Sequence, residues 1–126
     1  MTREGIVTPA APTPAGPYSH VAFSGPILAV AGQAGIDPVT GDLVGPDIGS
    51  QTHQTFANIR AALEAAGSSF ADVIQVRVFL ADLGEFEGMN EVYGQQFAEP
   101  YPARTTVGTA LAEGLRVEID VLAVRN

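Results

Sequence analysis

Residues 50–80 read SQTHQTFANIRAALEAAGSSFADVIQVRVFL, and the fold turns on the change of period inside that stretch. Ser50 stands where a helix N-cap is expected, and Phe56, Ile59, Leu63 and Ala66 then recur at helical spacing. They form one apolar stripe, with Gln51, Gln54 and Asn58 off it and expected toward solvent. Gly67 supplies the C′ residue that closes such a helix, because glycine enters the left-handed region without a Cβ clash. From Val73 to Leu80 the period drops to two. That predicts a strand with Ile74, Val76, Val78 and Leu80 on one face, against which the helical stripe can be buried.

Working outward, Val21-Ala22-Phe23 and Ile27 to Ala34 read as two short strands joined at Ser24-Gly25-Pro26. The segment Met1–Tyr18 carries Pro9, Pro12, Pro14 and Pro17, so it is expected as an extended arm, frayed or strapped over the body, and not as a helix. Gly35–Gly49, with Pro38, Gly41, Gly45 and Pro46, is loop. A second helix is expected from Leu83 or Gly84 to Ala98, with Phe86, Met89, Tyr93 and Phe97 as a core stripe and Pro100 and Pro102 ending it. Thr105–Leu111 and Arg116–Val124 are expected to form a hairpin around Ala112-Glu113-Gly114. The order β-β-α-β-α-β-β gives one α+β domain over 1–126, a sheet with two helices packed on one face. The outward positions Val73, Phe79, Leu122 and Val124 are apolar, which marks the other face as an interface and predicts an oligomer with its cleft between subunits.

Composition removes several chemistries. The chain has no cysteine, hence no disulfide, thiolate nucleophile or cysteine metal site. Its six basic residues are Arg3, Arg60, Arg77, Arg104, Arg116 and Arg125, so lysine Schiff bases are excluded. A net charge of −8 disfavours nucleic acid as a partner. The longest apolar run, Ile27–Ala31, is too short for a membrane, and no secretory pattern is visible; a soluble cytoplasmic protein is expected.

The common phosphate, zinc and nucleophile-elbow signatures are missing. Gly32-Gln33-Ala34-Gly35 runs into Ile36-Asp37-Pro38 and not into a helix, so its glycines are read as permitting a close backbone approach or a bulge. His20 and His53 are the only imidazoles. His53 is expected to be partly solvated, and a nucleophilic Ser19-His20 pair is disfavoured because adjacent strand side chains point to opposite faces. Two distant histidines make no metal site. Arg104, entering a strand after Tyr101-Pro102-Ala103, suits a small carboxylate ligand, a structural salt bridge or a snorkelling place at the rim. Glu118, in Val117-Glu118-Ile119-Asp120-Val121, suits either an acid–base role with its pKa pushed upward or protection against unwanted edge pairing or sheet stacking.

As a set, these residues are familiar. Gly16-Pro17-Tyr18-Ser19, Ala31-Gly32-Gln33, Asp37-Pro38-x-Thr40-Gly41, Gln51-Thr52, Asn58-Ile59 and Glu64–Gly67 resemble the Rid family, the YjgF-like reactive-intermediate deaminases. The likeness continues collinearly through Val76-x-Val78-Phe79-Leu80, Phe86, Met89-Asn90-x-Val92-Tyr93, Phe97, Pro102–Thr105 and Val117–Asp120. It implies a chorismate-mutase-like mixed sheet with two helices on one face, assembled as a homotrimer with clefts between subunits. It also implies hydrolysis of 2-iminopropanoate and 2-iminobutanoate to 2-oxo acids and ammonia, with no metal or organic cofactor.

Carried over by position, the resemblance makes Arg104 the carboxylate anchor and Glu118 the residue that positions or activates water. Tyr18 and Asn90 line the cleft from the adjoining subunit or its rim, and Gly32 offers backbone near the ligand. Four positions depart from the family pattern: Ala31 for a serine, Thr106 for a cysteine beside the substrate, His20 for a glutamine and Ala112 for a proline. They bear on substrate identity more than on fold. A member that binds a 2-oxo acid without turning it over is the alternative, and a ribonuclease is opposed by the charge.

Overall fold

The computed structural model describes residues 2–125. In chain order it contains β1 (Glu4–Ile6), β2 (Val21–Ser24), β3 (Ile27–Gln33), α1 (Ile48–Ala65), β4 (Val73–Leu80), α2 (Phe86–Tyr93), β5 (Ala103–Gly108) and β6 (Val117–Val124). The strands form one mixed sheet in the order β1-β2-β3-β6-β4-β5. All neighbours are antiparallel except β4 and β5, whose parallel pairing needs the crossover that α2 supplies. Among the described residues no helix is long and apolar enough to cross a membrane.

Alternation sorts the sheet into two faces. Leu28, Val30, Val76, Val78, Leu80, Val117, Ile119 and Val121 are buried beneath the helices. Phe56 of α1 is fully buried there and meets Phe70, Tyr93 and Phe97 edge-on, with centroids 6.0, 5.8 and 5.9 Å away. Glu118, Asp120, Leu122 and Phe79 lie on the opposite, open face, which no helix covers. The apolar outward positions at Phe79, Leu122 and Val124 are therefore where the alternation puts them.

Five local expectations are corrected. Helix α1 begins at Ile48 with Asp47 as its cap; the Asp47 carboxylate accepts from the Ser50 N–H at 2.9 Å, so Ser50 is capped instead of capping. Gln51 and Asn58 are buried, not solvated, because their amides satisfy loop backbone. Gln51 donates to the Gly45 and Gly114 carbonyls and accepts from the Arg116 N–H, while Asn58 donates to Ala34 and Ile36. Val73 is buried and Ile74 exposed because the β4–β6 register shifts between Val73 and Gln75. Helix α2 is shorter than its apolar pattern, ending at Tyr93, and leaves Phe86 exposed.

The fifth correction concerns topology. The proline-rich arm contributes an edge strand, Glu4–Ile6, paired with Val21–Phe23. At the other end of the chain, β5 and β6 make no hairpin; β4 lies between them. The chain leaves β5, passes the end of β4, where Thr109 donates to the Leu80 carbonyl and Ala81 to that of Arg116, and enters the sheet centre as β6. The burial patterns explain the exchange of places: β6 alternates fully buried with half-buried residues, as a central strand does, whereas β5 has no fully buried residue and takes the edge.

Candidate active site

Glu118 stands on central β6 and faces the open side of the sheet, directly opposite Phe79 of β4. Gly32, at the β3 bulge between Val30 and Gln33, lets it lie flat against the neighbouring strand. A Cβ at position 32 would sit 2.7 Å from Glu118 Oε2 and 3.2 Å from its Cδ, so any side chain there displaces the carboxylate. Gly32 thus sits at a bulge, while Gly35 permits a close backbone approach, since a Cβ there would lie 2.7 Å from the Gln51 Cα. Burial raises the Glu118 pKa above the ordinary carboxylate value, and the nearby Asp120 charge raises it further. Asp120 is itself held by Arg77, which donates from Nε and Nη2 to its two oxygens at 2.9 and 2.8 Å. Because β6 is central, Glu118 guards no sheet edge, which removes the edge-protection reading.

A cavity of about 560 Å³ opens over Glu118. Its floor is Gly32 and Glu118, one wall is the arm (Pro12, Ala15, Tyr18), and the other is the loop around Ile36 and Pro38. Tyr18 is fixed within the arm by the Ala15 N–H, which donates to its hydroxyl at 3.0 Å.

Arg104 belongs to a different neighbourhood. In the parallel register it pairs with Val76, so its side chain leaves the sheet on the helix side. Its Nη1 donates to Asn90 Oδ1 at 2.6 Å, and the guanidinium carbon lies 4.6 Å from the Tyr93 ring centroid and 5.3 Å from that of Phe86. Among the described residues the ion pairs are Arg77–Asp120 and Arg116–Glu85, so Arg104 has no carboxylate partner and the salt-bridge reading fails. Thr106, two residues on and on the same face, has a buried hydroxyl without a hydrogen-bond partner, as does Tyr93. Burial raises the Tyr93 pKa, with the Arg104 charge opposing it. Asn90, Tyr93, Tyr101 and Arg104 line a shallow pocket of about 320 Å³.

The residues singled out from sequence therefore fall into two sets: Tyr18, Gly32 and Glu118 on the open face, and Asn90, Arg104 and Thr106 on the helix face. A single chain does not bring Arg104 and Glu118 together. Tyr93 and Phe86, expected only as core, both stack on Arg104; their three- and four-residue spacing from Asn90 is the signal in the sequence that points to this. The Arg77–Asp120 pair is a further addition to the expected site, and strand alternation from Glu118 leads directly to Asp120. His53 is exposed, and His20 is fully buried.

Comparison with known proteins gives the family. A family model described as Endoribonuclease L-PSP matches residues 8–125. A RutC family protein of Pyrococcus horikoshii is 47% identical over 125 residues, covering 98% of this chain and 99% of that protein. A Bos taurus protein named 2-iminobutanoate/2-iminopropanoate deaminase is 38% identical over 127 residues, covering 100% of this chain and 93% of its own. The crystal structure of E. coli TdcF with bound serine matches with a TM-score of 0.91 at 36% identity, covering 98% of this chain and 99% of that one. The chain belongs to the Endoribonuclease L-PSP family, the YjgF/RidA family.

Proposed function

We propose that this protein is a cofactor-free deaminase of small 2-imino acids and their enamine tautomers, 2-iminopropanoate and 2-iminobutanoate, acting in the cytoplasm as a homotrimer. The observation that carries the reading is Arg104: a guanidinium stacked on two rings, steered by a neutral amide and lacking an anionic partner among the described residues is prepared for a ligand carboxylate. Relatives named as 2-iminobutanoate/2-iminopropanoate deaminases support the reaction class. Since Glu118 lies across the sheet, the complete cleft joins the Arg104 face of one subunit to the Glu118 face of the next.

In that cleft Arg104 holds the substrate carboxylate and Asn90 holds Arg104. Glu118 takes a proton from water as the water oxygen bonds to C2 and the C=N π bond opens, and it returns that proton to the imine nitrogen. In the resulting carbinolamine the hydroxyl proton passes through Glu118 to the nitrogen as the C–N bond breaks, releasing ammonia and leaving the 2-oxo acid. A conjugated imine is already electrophilic, so anchoring and delivery of one water are the parts the protein has to supply. The family's descriptive name is that of a ribonuclease, but a net charge of −8 offers little to a polyanion, and the partners we propose are small acids and a second and third copy of the chain.

The test is 2-oxo acid release from freshly generated 2-aminoacrylate, wild type against Arg104→Ala. Acceleration that the variant loses is the expected result; equal acceleration by both would overturn the site. Thermal stabilisation by 2-oxobutanoate without any acceleration would make the chain a 2-oxo acid-binding member of the family instead.

A further inference from the structure

His20 has no part in the chemistry above, yet it is fully buried and both of its ring nitrogens are engaged. Nδ1 accepts from the Thr8 N–H at 2.9 Å. Nε2 lies 2.6 Å from the Pro12 carbonyl oxygen, which can only accept, so Nε2 is the donor of this pair. The turn is closed around the imidazole by its own bonds: Thr8 Oγ1 accepts from the Ala10 N–H and the Thr8 carbonyl from Ala11, whose side chain is buried.

The rest of the arm explains why this matters. Pro9, Pro12, Pro14 and Pro17 have no N–H to give. The other hydrogen bonds of residues 8–18 stay inside the segment: Tyr18 to Gly16 and Ala15 to the Tyr18 hydroxyl. Among the described residues, the two bonds to His20 are the ones that tie this segment to the remainder of the chain. The same segment supplies Pro12, Ala15 and Tyr18 to one wall of the Glu118 cavity, whose opposite wall includes Ile36, Pro38 and Leu115.

We propose that His20 is a positioning residue: its ring clamps Thr8 to Pro12 and so sets the arm wall against which the small apolar side chain of the substrate rests. The proposal deepens the deaminase reading and rests on it for the identity of the substrate. A ring with one donor and one acceptor suits this task, and a glutamine amide offers the same pair.

The experiment compares His20→Leu, His20→Gln and Thr8→Pro in the full-length assembled protein, the last removing the clamped N–H while leaving the ring in place. The readouts are amide hydrogen exchange and the KM and kcat for 2-iminobutanoate. His20→Leu is expected to expose the Thr8 and Ala15 amides and to raise KM about tenfold with kcat changed less than about twofold, since a loosened wall costs grip and not chemistry. His20→Gln should restore both. If His20→Leu does not fold, Thr8→Pro decides by Ala15 exchange and KM. Unchanged exchange, a released arm with unchanged KM, or failure of His20→Gln to rescue would overturn the clamp. Were wild type inert toward these imines the deaminase reading would fall, and the clamp would then be judged by the same variants' exchange and their Kd for 2-oxobutanoate, about tenfold weaker if it holds and unchanged if it does not.

Discussion

Arg104 and Glu118 sit on two faces of one sheet, and the two faces treat charge in opposite ways. On the helix face Arg104 is stacked on Phe86 and Tyr93 and held by the uncharged Asn90, with no carboxylate nearby among the described residues to neutralise it. On the open face Glu118 has Asp120 as a neighbour, and burial and like charge together weaken its hold on the anionic form. The first environment keeps a cation available for a ligand; the second makes a carboxylate easier to protonate than an exposed one. A reaction that needs a fixed anchor and a mobile proton is served by separating the two. Under the proposed reaction, a lone chain would hold only half of the machinery.

The comparison breaks most sharply when each half is removed alone. Glu118→Gln is expected to lower kcat by about 10²–10⁴-fold, the range of a lost general base. Arg104→Ala should lower kcat/KM by about 10²–10³-fold, mainly through KM, as a lost charge-assisted anchor does. If the cleft is shared between copies, mixing the two inactive proteins under conditions of subunit exchange restores activity. With equal amounts and random assembly into rings, about a quarter of the clefts pair an intact Glu118 with an intact Arg104. Activity that stays at background after proven exchange would show that the two residues never meet.

A smaller effect tests the Glu118 side by itself. In Gly32→Ala the added Cβ, 2.7 Å from the carboxylate oxygen, forces Glu118 to move while leaving Arg104 untouched. Steady-state kinetics should show kcat falling by up to about 10²-fold, with KM nearly unchanged. A fall in substrate affinity instead would place the ligand carboxylate over Gly32.

The two faces are not equally legible in the sequence. Period-two alternation through Val117–Val121 by itself puts Glu118 and Asp120 on a common face, and helical spacing finds α1 and its stripe. Both signals are local. That Arg104 and Glu118 face opposite ways is not local, because it depends on β5 pairing in parallel with β4 while β6 enters on the other side. A turn-like Ala112-Glu113-Gly114 argues for a hairpin, and only competition for the sheet centre overrides it. Gln51 and Asn58 escape a local reading for the same reason: the carbonyls and N–H groups that draw their amides inward belong to residues as distant as Gly114 and Arg116. Helical spacing alone assigns these polar residues of α1 to solvent, because it carries no information on which loops will reach them.

Asp120 offers a finer probe of the open face. If ionised Glu118 is the base, the acid limb of the rate profile follows its pKa, and Asp120 holds that pKa up. Asp120→Asn removes the like charge, so the acid limb moves to lower pH. Arg77→Met leaves Asp120 without its bidentate partner and moves the limb the other way. A profile unmoved by either variant would assign the limb to another group.

The smallest effect is on stability, and its sign follows from the same raised pKa. Below the unfolded carboxylate value, folded and unfolded chains both keep the Glu118 proton, and the group is neutral in its effect. Between the unfolded value and the raised folded value, the folded chain holds a proton that the unfolded chain has released, so stability falls as pH rises; above the folded value the loss is complete and constant. Glu118→Gln carries no titrating group there. Its melting temperature, measured against wild type across that window, should therefore gain on wild type as pH increases. Because the carboxylate is half-exposed the gain is small, about 2 °C or less. An opposite slope would mean that the Glu118 anion is favoured by the fold, and the contrast between the two faces would lose its basis.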